Sequence, residues 1–443
     1  MKRFLLIPLA VVLVTALIFS GCKPAPEGPQ EIIVGANAAM TGMFASFGEG
    51  CTFGYKAAIE DINKLGGVYV EEYGCKLPMR LVIADNESDP TKVGTLAESL
   101  ILGDKAQFLV SPDSPCQMHT PTSTVCERLS VPHIVSGGPL EPWLGIRQEV
   151  TPPWPYTWFT GFAIVIPAAE GDFRHGKLGY TSMDTWLGML DAFGNQTNKK
   201  VGIFASDDPD GVGWYALFHP VLTDWGADVL GADRNLGLFP IGTTDFTPII
   251  NEWKDNDCEI IWGNCPAPDF GTLWRQCKTL GFQPKMAIAI RAHLFYTDVN
   301  AWGGDLPHGI AGDIWWTPNI KDSPGIGGTT PQSLTDRWIE ETGQPVNPAI
   351  GHGYPTIQIL ADAIERAGTL DPEALNKAIG ETDLMTITHR IVFDQDEHFS
   401  RLPLFQGQWQ KVDEPWVWEC PVIFAEQDFV SLEADMIFPI PYD

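Results

Sequence analysis

Hydrophobic positions along the chain form short apolar runs that alternate with amphipathic segments. The run at 31–35 is apolar, and the segment after it carries Tyr55, Ile59 and Ile62 at helical spacing. Further apolar runs lie at 79–84, 106–110 and 133–135, each separated from the next by a segment with helical features. Short apolar strands that alternate with helices predict a parallel sheet covered on both faces.

The same alternation starts again at residue 200. Predicted strands lie at 200–205, 227–231, 259–262 and 285–290, with predicted helices between them. Residues 141–156 are rich in Pro and Trp and have no period, which predicts a crossover between domains. The C-terminal third offers three helical segments and a β-rich tail, too few pieces for a third core.

The sequence therefore predicts an α/β protein of two doubly wound lobes with parallel central sheets. Lobe one is predicted to comprise 31–150 plus about 322–395, and lobe two 151–321 plus about 396–443. In open sheets of this kind, ligands bind at the carboxyl ends of the strands. The loops that follow the predicted strands are thus the places to look for a site.

The N-terminus has the features of an export signal. Lys2 and Arg3 precede an apolar run, Phe4–Phe19, that is too short to span a membrane. The segment 1–21 resembles a lipoprotein signal peptide, which predicts lipidation of Cys22 and a Pro-rich tether at 22–30. The alternative is ordinary secretion. We expect a periplasmic or cell-surface protein whose only contact with the membrane is this lipid.

Charge and cysteine content narrow the function further. A formal net charge of −28 makes nucleic acid a poor partner. Eight cysteines follow Cys22, and an even number in an exported protein favours disulfides, with Cys51 and Cys75 as the preferred pair. There is no CxxC motif, and the loop at 206–217 lacks the acid that a calcium site needs at its last position. We expect no metal site and no cofactor.

Several motifs, taken in order, resemble the branched-chain amino-acid-binding family of type I periplasmic binding proteins. They are Met40–Gly48 after the first strand, Asp61–Gly67 at the first helix end, Asp85 with Asp89-Pro90, Thr244–Phe246, Tyr354–Gly368, and Ile391–Asp394 with His398. The resemblance implies two lobes joined by a three-crossover hinge that close on a small ligand. It also implies that ABC transporter permease and ATPase subunits are the partners, and we expect a monomer.

Candidate ligand contacts in lobe one lie in two loops. Ser111, Asp113 and Ser114 lead into a predicted helix N-terminus, which attracts carboxylates, and the resemblance places substrate contacts there. The alternative is an ordinary helix cap. The next loop, Ser136-Gly137-Gly138, lets a ligand approach the backbone, or is simply a tight turn. Phe44 is a candidate for covering the cleft, with packing as the alternative.

Candidate contacts in lobe two are more scattered. Asp210 follows the first predicted strand of this lobe, and Asp269 and Arg291 lie near later strand ends. Trp158 is a further candidate, and Trp214 and His293 lie nearby; for each of these residues a core or surface position is the alternative.

Arg291 bears on the choice of ligand. In amino-acid binders of the resembling family an acid commonly stands near this position and holds the ligand ammonium, which an arginine would repel. Arg291 suits a carboxylate instead, and the sixteen Trp residues suit an apolar or aromatic body. The alternative is that Asp210 supplies the contact to a ligand ammonium. We therefore expect an amino acid or an apolar or aromatic carboxylate, and not an ordinary branched-chain amino acid.

Enzyme motifs are broken or missing from the sequence. Gly171–Lys177 resembles the start of a P-loop, but Leu178 replaces the required Ser or Thr. There is no GxSxG and no HExxH, so we predict a binding protein with no catalytic residues. A sensory binding module for a membrane receptor is the main alternative, and an exported hydrolase is a remote one.

Overall fold

The computed structural model describes residues 28–231, 234–413 and 415–442. The predicted signal peptide, Cys22 and most of the tether lie outside these residues. The first part of the chain contains β1 (Ile32–Ala38), α1 (Ala45–Lys64), β2 (Val68–Val70), β3 (Cys75–Leu77), β4 (Met79–Asp85), α2 (Pro90–Leu102), β5 (Phe108–Pro112), α3 (Thr120–Leu129), β6 (His133–Pro139), α4 (Leu140–Glu149) and β7 (Thr157–Phe162).

The middle part repeats this alternation. It contains α5 (Ser182–Ala192), β8 (Lys200–Ser206), α6 (Pro209–Asp224), β9 (Asp228–Leu230), β10 (Leu238–Phe239), α7 (Thr247–Asp255), β11 (Ile260–Asn264), α8 (Ala267–Thr279), β12 (Met286–Ala289), α9 (Tyr296–Asn300) and β13 (Ile310–Ile314).

The last part adds helices first and then short strands. It contains α10 (Pro331–Thr342), α11 (Ile350–Ala367), α12 (Pro372–Gly380), β14 (Asp383–Thr386), β15 (His389–Val392), β16 (Phe399–Arg401), β17 (Phe405–Gln408), β18 (Gln410–Lys411), β19 (Trp418–Glu419) and β20 (Val422–Ala425).

Three helices begin at the same dipeptide, Asp-Pro. The side chains of Asp89, Asp208 and Asp371 each accept a hydrogen bond from a backbone N–H in the first turn of α2, α6 and α12. The proline that follows each of them occupies the first helical position, where no backbone donor is needed. This local chemistry fixes the residue at which each helix begins.

Two central sheets define two lobes, as predicted. The first has the order β16-β7-β6-β5-β1-β4, and all its pairings are parallel. The second has the order β10-β8-β11-β12-β13-β17-β20, with β9 beside β8, and it is parallel up to β13. The strands β17 and β20 are antiparallel additions from the C-terminal tail.

The chain crosses between the lobes three times, at 163–181, 315–330 and 402–404. The lobe boundary at 150/151 needs correction, because β7 pairs with β6 in the first sheet. The assignment of 396–443 wholly to lobe two is wrong at β16, which pairs with β7. The Pro- and Trp-rich segment at 141–156 is not the predicted crossover, because most of it belongs to α4 and the first crossover comes later, at 163–181.

The cysteines correct another prediction. All eight cysteines after Cys22 are free thiols. Cys51 is buried in α1, where its Sγ donates to the Ala349 carbonyl at 3.3 Å, whereas Cys75 is exposed at the start of β3. The two therefore do not form the predicted disulfide.

Among the described residues, no helix has the length and apolar character to cross a bilayer.

Candidate functional site

The two lobes enclose a cavity of about 40 Å³ at the carboxyl ends of their parallel strands. Its walls are Phe47, Asp113, Ser114, Pro115, Pro139 and Phe162 from lobe one, and Asp210, Trp214, Asn264, Ile290, Arg291, Leu294, Asp313 and Trp315 from lobe two and the crossover after β13. Typical ligand sites are about 300–1,000 Å³ in volume. The lobes are thus drawn closely together around a narrow, mostly apolar space.

Arg291 is the only Lys or Arg among the residues that line this cavity. Its Nη1 donates to Asp208 Oδ2 at 3.1 Å and to Asp210 Oδ2 at 3.0 Å, and its Nη2 donates to Ser206 Oγ. Asp208 is also the cap of α6, so its other oxygen accepts from Gly211 N at 2.6 Å. The guanidinium is therefore neutralised by two acids of its own lobe.

Burial changes the protonation of the acids on this side. Removal from water raises the pKa of Asp210 to about 6, although Arg291 opposes the shift. Asp313 is likewise raised to a pKa of about 6 by burial, despite hydrogen bonds from Trp186 Nε1, Gln406 and neighbouring hydroxyls. Both carboxylates line the cavity, so its negative charge grows as the pH rises through 6.

An acid from lobe one, Asp113, lies on the opposite wall. Its Oδ2 is 3.0 Å from His352 Nδ1 at the start of α11, and both side chains are buried. The His352 ring stacks on Trp315 at a centroid distance of 4.5 Å, and Trp315 stacks on Phe162 at 5.6 Å. An aromatic column thus runs from lobe one into the second crossover.

The predicted lobe-one contacts divide into two groups. Asp113 and Ser114 line the cavity, and Ser114 Oγ bonds to the Pro112 carbonyl. Ser111 and Ser136 face the core instead: Ser111 Oγ lies 2.9 Å from His133 Nε2, and Ser136 Oγ accepts from Tyr55 at 2.6 Å. The helix expected after Ser114 is a three-residue 3₁₀ turn, Cys116–Met118, before α3.

The remaining lobe-one candidates do not line the cavity. Gly137 has φ +111° and abuts the pair of Asp113 and His352, while Gly138 has φ +127° and packs near Phe159. Both glycines lie within β6 and not in the tight turn given as the alternative, and their missing side chains allow this close packing. Phe44 is buried against Phe47, and Phe47 is the ring that reaches the cavity.

Among the predicted lobe-two contacts, Asp210 and Arg291 line the cavity. Trp158 does not, because it lies in β7 of lobe one and stacks on His398 at 3.9 Å. Asp269 accepts from Gly242 N at 3.1 Å and so holds a neighbouring loop. His293 is buried and bonds to backbone carbonyls of its own turn.

Sequence reasoning missed several lining residues, although a signal existed for some of them. Asn264 and Ile290 follow or end predicted strands, where the strand-end rule already points. Phe162 and Asp313 were missed because the strands that carry them, β7 and β13, were not predicted, and Trp315 was missed because it directly follows β13.

Two sets of contacts bridge the lobes on the cleft side. Ser46 Oγ donates to Asp298 Oδ1 at 3.1 Å and lies 3.2 Å from Thr297 Oγ1. Beside them, the rings of Phe47 and Phe295 meet edge to face at 4.6 Å. These bonds exist only while the lobes are closed on each other, so the structure represents a closed form.

Two lobes with a hinge of three crossovers and a cavity between them define a two-domain small-molecule-binding protein. A sequence model described as "Periplasmic binding protein" matches residues 31–413. The chain belongs to this family, and the predicted resemblance is confirmed. The family and the fold are those of substrate-binding proteins rather than enzymes.

Named relatives and solved structures agree with this family. The chain is 33% identical over 379 residues to the Leu/Ile/Val-binding protein BraC3 of Rhizobium johnstonii, covering 82% of this chain and 88% of that protein. It is 22% identical over 409 residues to a leucine-, isoleucine-, valine-, threonine- and alanine-binding protein of Pseudomonas aeruginosa, covering 90% and 95%.

The fold is shared with solved structures at lower identity. A leucine-binding protein from Thermotoga maritima superposes with a TM-score of 0.69 at 17% identity, covering 89% of this chain and 99% of that one. A solute-binding protein of an ABC transporter from Rhodopseudomonas palustris, in complex with 3,4-dihydroxybenzoic acid, gives 0.66 at 19% identity, covering 91% and 99%.

Proposed function

We propose that this protein captures a small molecule with an apolar or aromatic body between its two lobes and delivers it to an ABC transporter. The observation that carries the proposal is the cavity at the strand ends, walled by Phe47, Phe162, Trp214 and Trp315 and closed by contacts between the lobes. A ligand held there contacts both lobes only in the closed form, so it shifts the hinge equilibrium toward closure.

The comparisons support delivery to a transporter. Relatives include binding proteins for amino acids, and one similar structure is that of a solute-binding protein of an ABC transporter. A closed protein with its ligand inside is the form that permease subunits would recognise. The ATPase subunits would then drive transfer of the ligand across the membrane.

Capture is tested by identifying what the protein carries when it is purified. Denaturation of the purified wild-type protein should release a small molecule that mass spectrometry detects. The Trp214→Ala variant should carry at least tenfold less of this molecule. Trp225→Ala is the matched control, because Trp225 is a half-buried lobe-two tryptophan outside the cavity. Ile290→Ala, a smaller truncation of the wall, serves if Trp214→Ala does not fold.

Delivery is tested with the permease and ATPase subunits reconstituted in vesicles. Wild-type protein loaded with its own ligand should stimulate ATP hydrolysis, and Trp214→Ala should not. Stimulation that is equal for the two proteins, or absent for both, would count against the proposal.

We further propose that Cys22 carries a lipid that holds the protein at the outer side of the cytoplasmic membrane or at the cell surface. The family is extracytoplasmic, and the lipobox-like Phe19-Ser20-Gly21-Cys22 supports this anchoring. Wild-type protein should partition with membranes into detergent, and Cys22→Ala should be released. Wild-type protein found wholly in the aqueous fraction would contradict the anchor.

A further inference from the structure

The loops of lobe one offer little to an anionic ligand. The hydroxyls of Ser111 and Ser136 are bonded within the core, and Ser114 Oγ bonds back to Pro112. The first backbone position after Ser114 is Pro115, which has no N–H to donate, and only a 3₁₀ turn follows it. This loop places Asp113, Ser114 and Pro115 on the cavity wall, and Asp113 is the one of the three that carries a charge.

The charges around the cavity are predominantly negative. Three carboxylates line it, Asp113, Asp210 and Asp313, against one guanidinium. Arg291 is already paired with Asp210 and with a further acid, Asp208. An anionic ligand would therefore enter a space in which the guanidinium of Arg291 is already neutralised by acids and other carboxylates would repel the ligand.

An unpartnered acceptor points to the kind of group that belongs there. Asn264 is 1% exposed, lines the cavity, and its Oδ1 has no hydrogen-bond partner. A buried acceptor without a donor is costly, so a ligand that donates an N–H to it gains more than one that cannot. Two unpartnered donors, Arg291 Nε and Trp315 Nε1, suit a neutral oxygen elsewhere on the ligand.

The aromatic wall favours the same class of ligand. Phe162 lies 5.6 Å from Trp315 and 6.1 Å from Trp214, so the three rings form one continuous surface. Trp315 is stacked against both Phe162 and His352, so the wall offers a ligand a surface for an apolar or aromatic body.

We propose that the ligand is an amine with an apolar or aromatic body and no carboxylate. Its ammonium is held by Asn264 Oδ1 and by the carboxylates that line the cavity, above all Asp113. This assignment rests on the proposed function, because it names the ligand of the same cavity. It replaces the carboxylate expected from Arg291, whose Nη1 is occupied by two acids of lobe two and whose Nη2 donates to Ser206 Oγ.

Matched sets of probes test the assignment by calorimetry. One set is tyramine, tyrosine and 3-(4-hydroxyphenyl)propanoate, and the other is isopentylamine, leucine and 4-methylpentanoate. In each set the body is constant and only the charged groups change. At least one amine should bind, at least tenfold more tightly than its matched amino acid and its matched acid.

Tighter or equal binding of an amino acid or an acid would overturn the assignment, and so would the absence of binding by both amines. Scattering separates this failure from failure of the proposed function. If leucine or an aromatic acid binds and reduces the radius of gyration, capture between the lobes stands and only the amine assignment falls.

Variants locate the amine within the cavity. Asn264→Leu removes the unpartnered acceptor at similar size, and Asp113→Asn removes a charge while keeping an acceptor for His352. Each should weaken binding of the amine at least tenfold. Asp207→Asn is the matched control: it removes an exposed charge from the loop beside Asp208 and should change affinity less than twofold. If both cavity variants bind the amine as wild type does, the assignment is wrong.

Discussion

His119 is a buried histidine at the start of α3 whose ring nitrogens both lack hydrogen-bond partners. Its ring lies edge to face on Phe159 at 5.2 Å. Burial lowers the pKa of His119 from 6.5 to about 3. The folded protein thus keeps this side chain neutral while the unfolded chain protonates it near pH 6.5.

The sign of the pH effect follows from that difference. The stability contribution of neutral His119 is complete above pH 6.5 and is lost as the pH falls from 6.5 toward 3. At pH 5, protonation of the unfolded chain at this one residue costs about 2 kcal/mol.

We expect His119→Leu to reduce the loss of unfolding free energy between pH 7.5 and pH 5 by about 2 kcal/mol. Urea unfolding at the two pH values measures this. His119→Asn is the control, because it removes the titration but keeps polar atoms. Both variants should flatten the pH dependence, whereas only the leucine should also gain stability at pH 7.5. An unchanged slope in both would contradict the account.

Single residues also show where sequence reasoning stops. Arg291 and Asp210 were placed in the cavity because they follow apolar runs, and strand ends of parallel sheets converge. Ser111 and Ser136 lie within β5 and β6, where successive side chains alternate between faces. Which face of the sheet each serine side chain occupies depends on how the neighbouring helices pack. Because β5 and β6 are buried on both faces, their sequences have no polar–apolar alternation that would reveal this orientation.

At the scale of elements, the C-terminal end of β6 packs against Asp113, the acid of lobe one that lines the cavity. A Cβ added at Gly137 would lie 2.0 Å from His352 Nδ1 and 2.7 Å from Asp113 Cβ, at a φ of +111°. Close approach of β6 to α11 therefore depends on the missing side chain.

We expect Gly137→Ala to lower the unfolding free energy by about 1–3 kcal/mol and to weaken ligand binding, because Asp113 and His352 must separate. The matched control is Gly145→Ala in the exposed part of α4, where no atom lies within 4 Å of the new Cβ. That change should stabilise the protein by about 0.5–1 kcal/mol. Thermal unfolding and calorimetry of both variants provide the comparison, and a neutral Gly137→Ala would disprove the packing argument.

Elements were predictable where the chain gives both an apolar run and a boundary signal. The strand at 200–206 and the helix that starts at Asp208-Pro209 have both. The strand β7 was missed because its sequence, Thr-Trp-Phe-Thr-Gly-Phe, follows a Pro- and Trp-rich stretch that resembles a linker. Its partner β16 has three residues, too few for a periodic signal.

At the scale of the whole molecule, closure is held by contacts that join α1 of lobe one to α9 and the loop before it in lobe two. Phe47 meets Phe295 across the cleft, whereas Phe44 contacts Phe47 within its own lobe. Asp298, which accepts from Ser46, is half-buried in this closed form, and burial raises its pKa to about 6.

We expect Phe47→Ala to favour the open form, so that ligand affinity falls at least tenfold and the radius of gyration with ligand stays larger than in the wild type. Phe44→Ala is the control and should leave both quantities close to the wild-type values, after correction for the folded fraction. Small-angle scattering with and without ligand measures closure. Equal effects of the two substitutions would show that Phe47 acts through packing in lobe one alone.

The three crossovers also have a consequence for the order in which the molecule can be built. The α1 and α11 backbones touch where Gly54 meets Tyr354 and where Gly353 meets Cys51, and the first sheet is completed only by β16. The second sheet likewise lacks two of its strands until β17 and β20 have been synthesised. A chain made from its N-terminus therefore completes neither lobe until nearly all of it has been synthesised. Stable folding of either lobe is therefore postponed until the C-terminal strands have been synthesised.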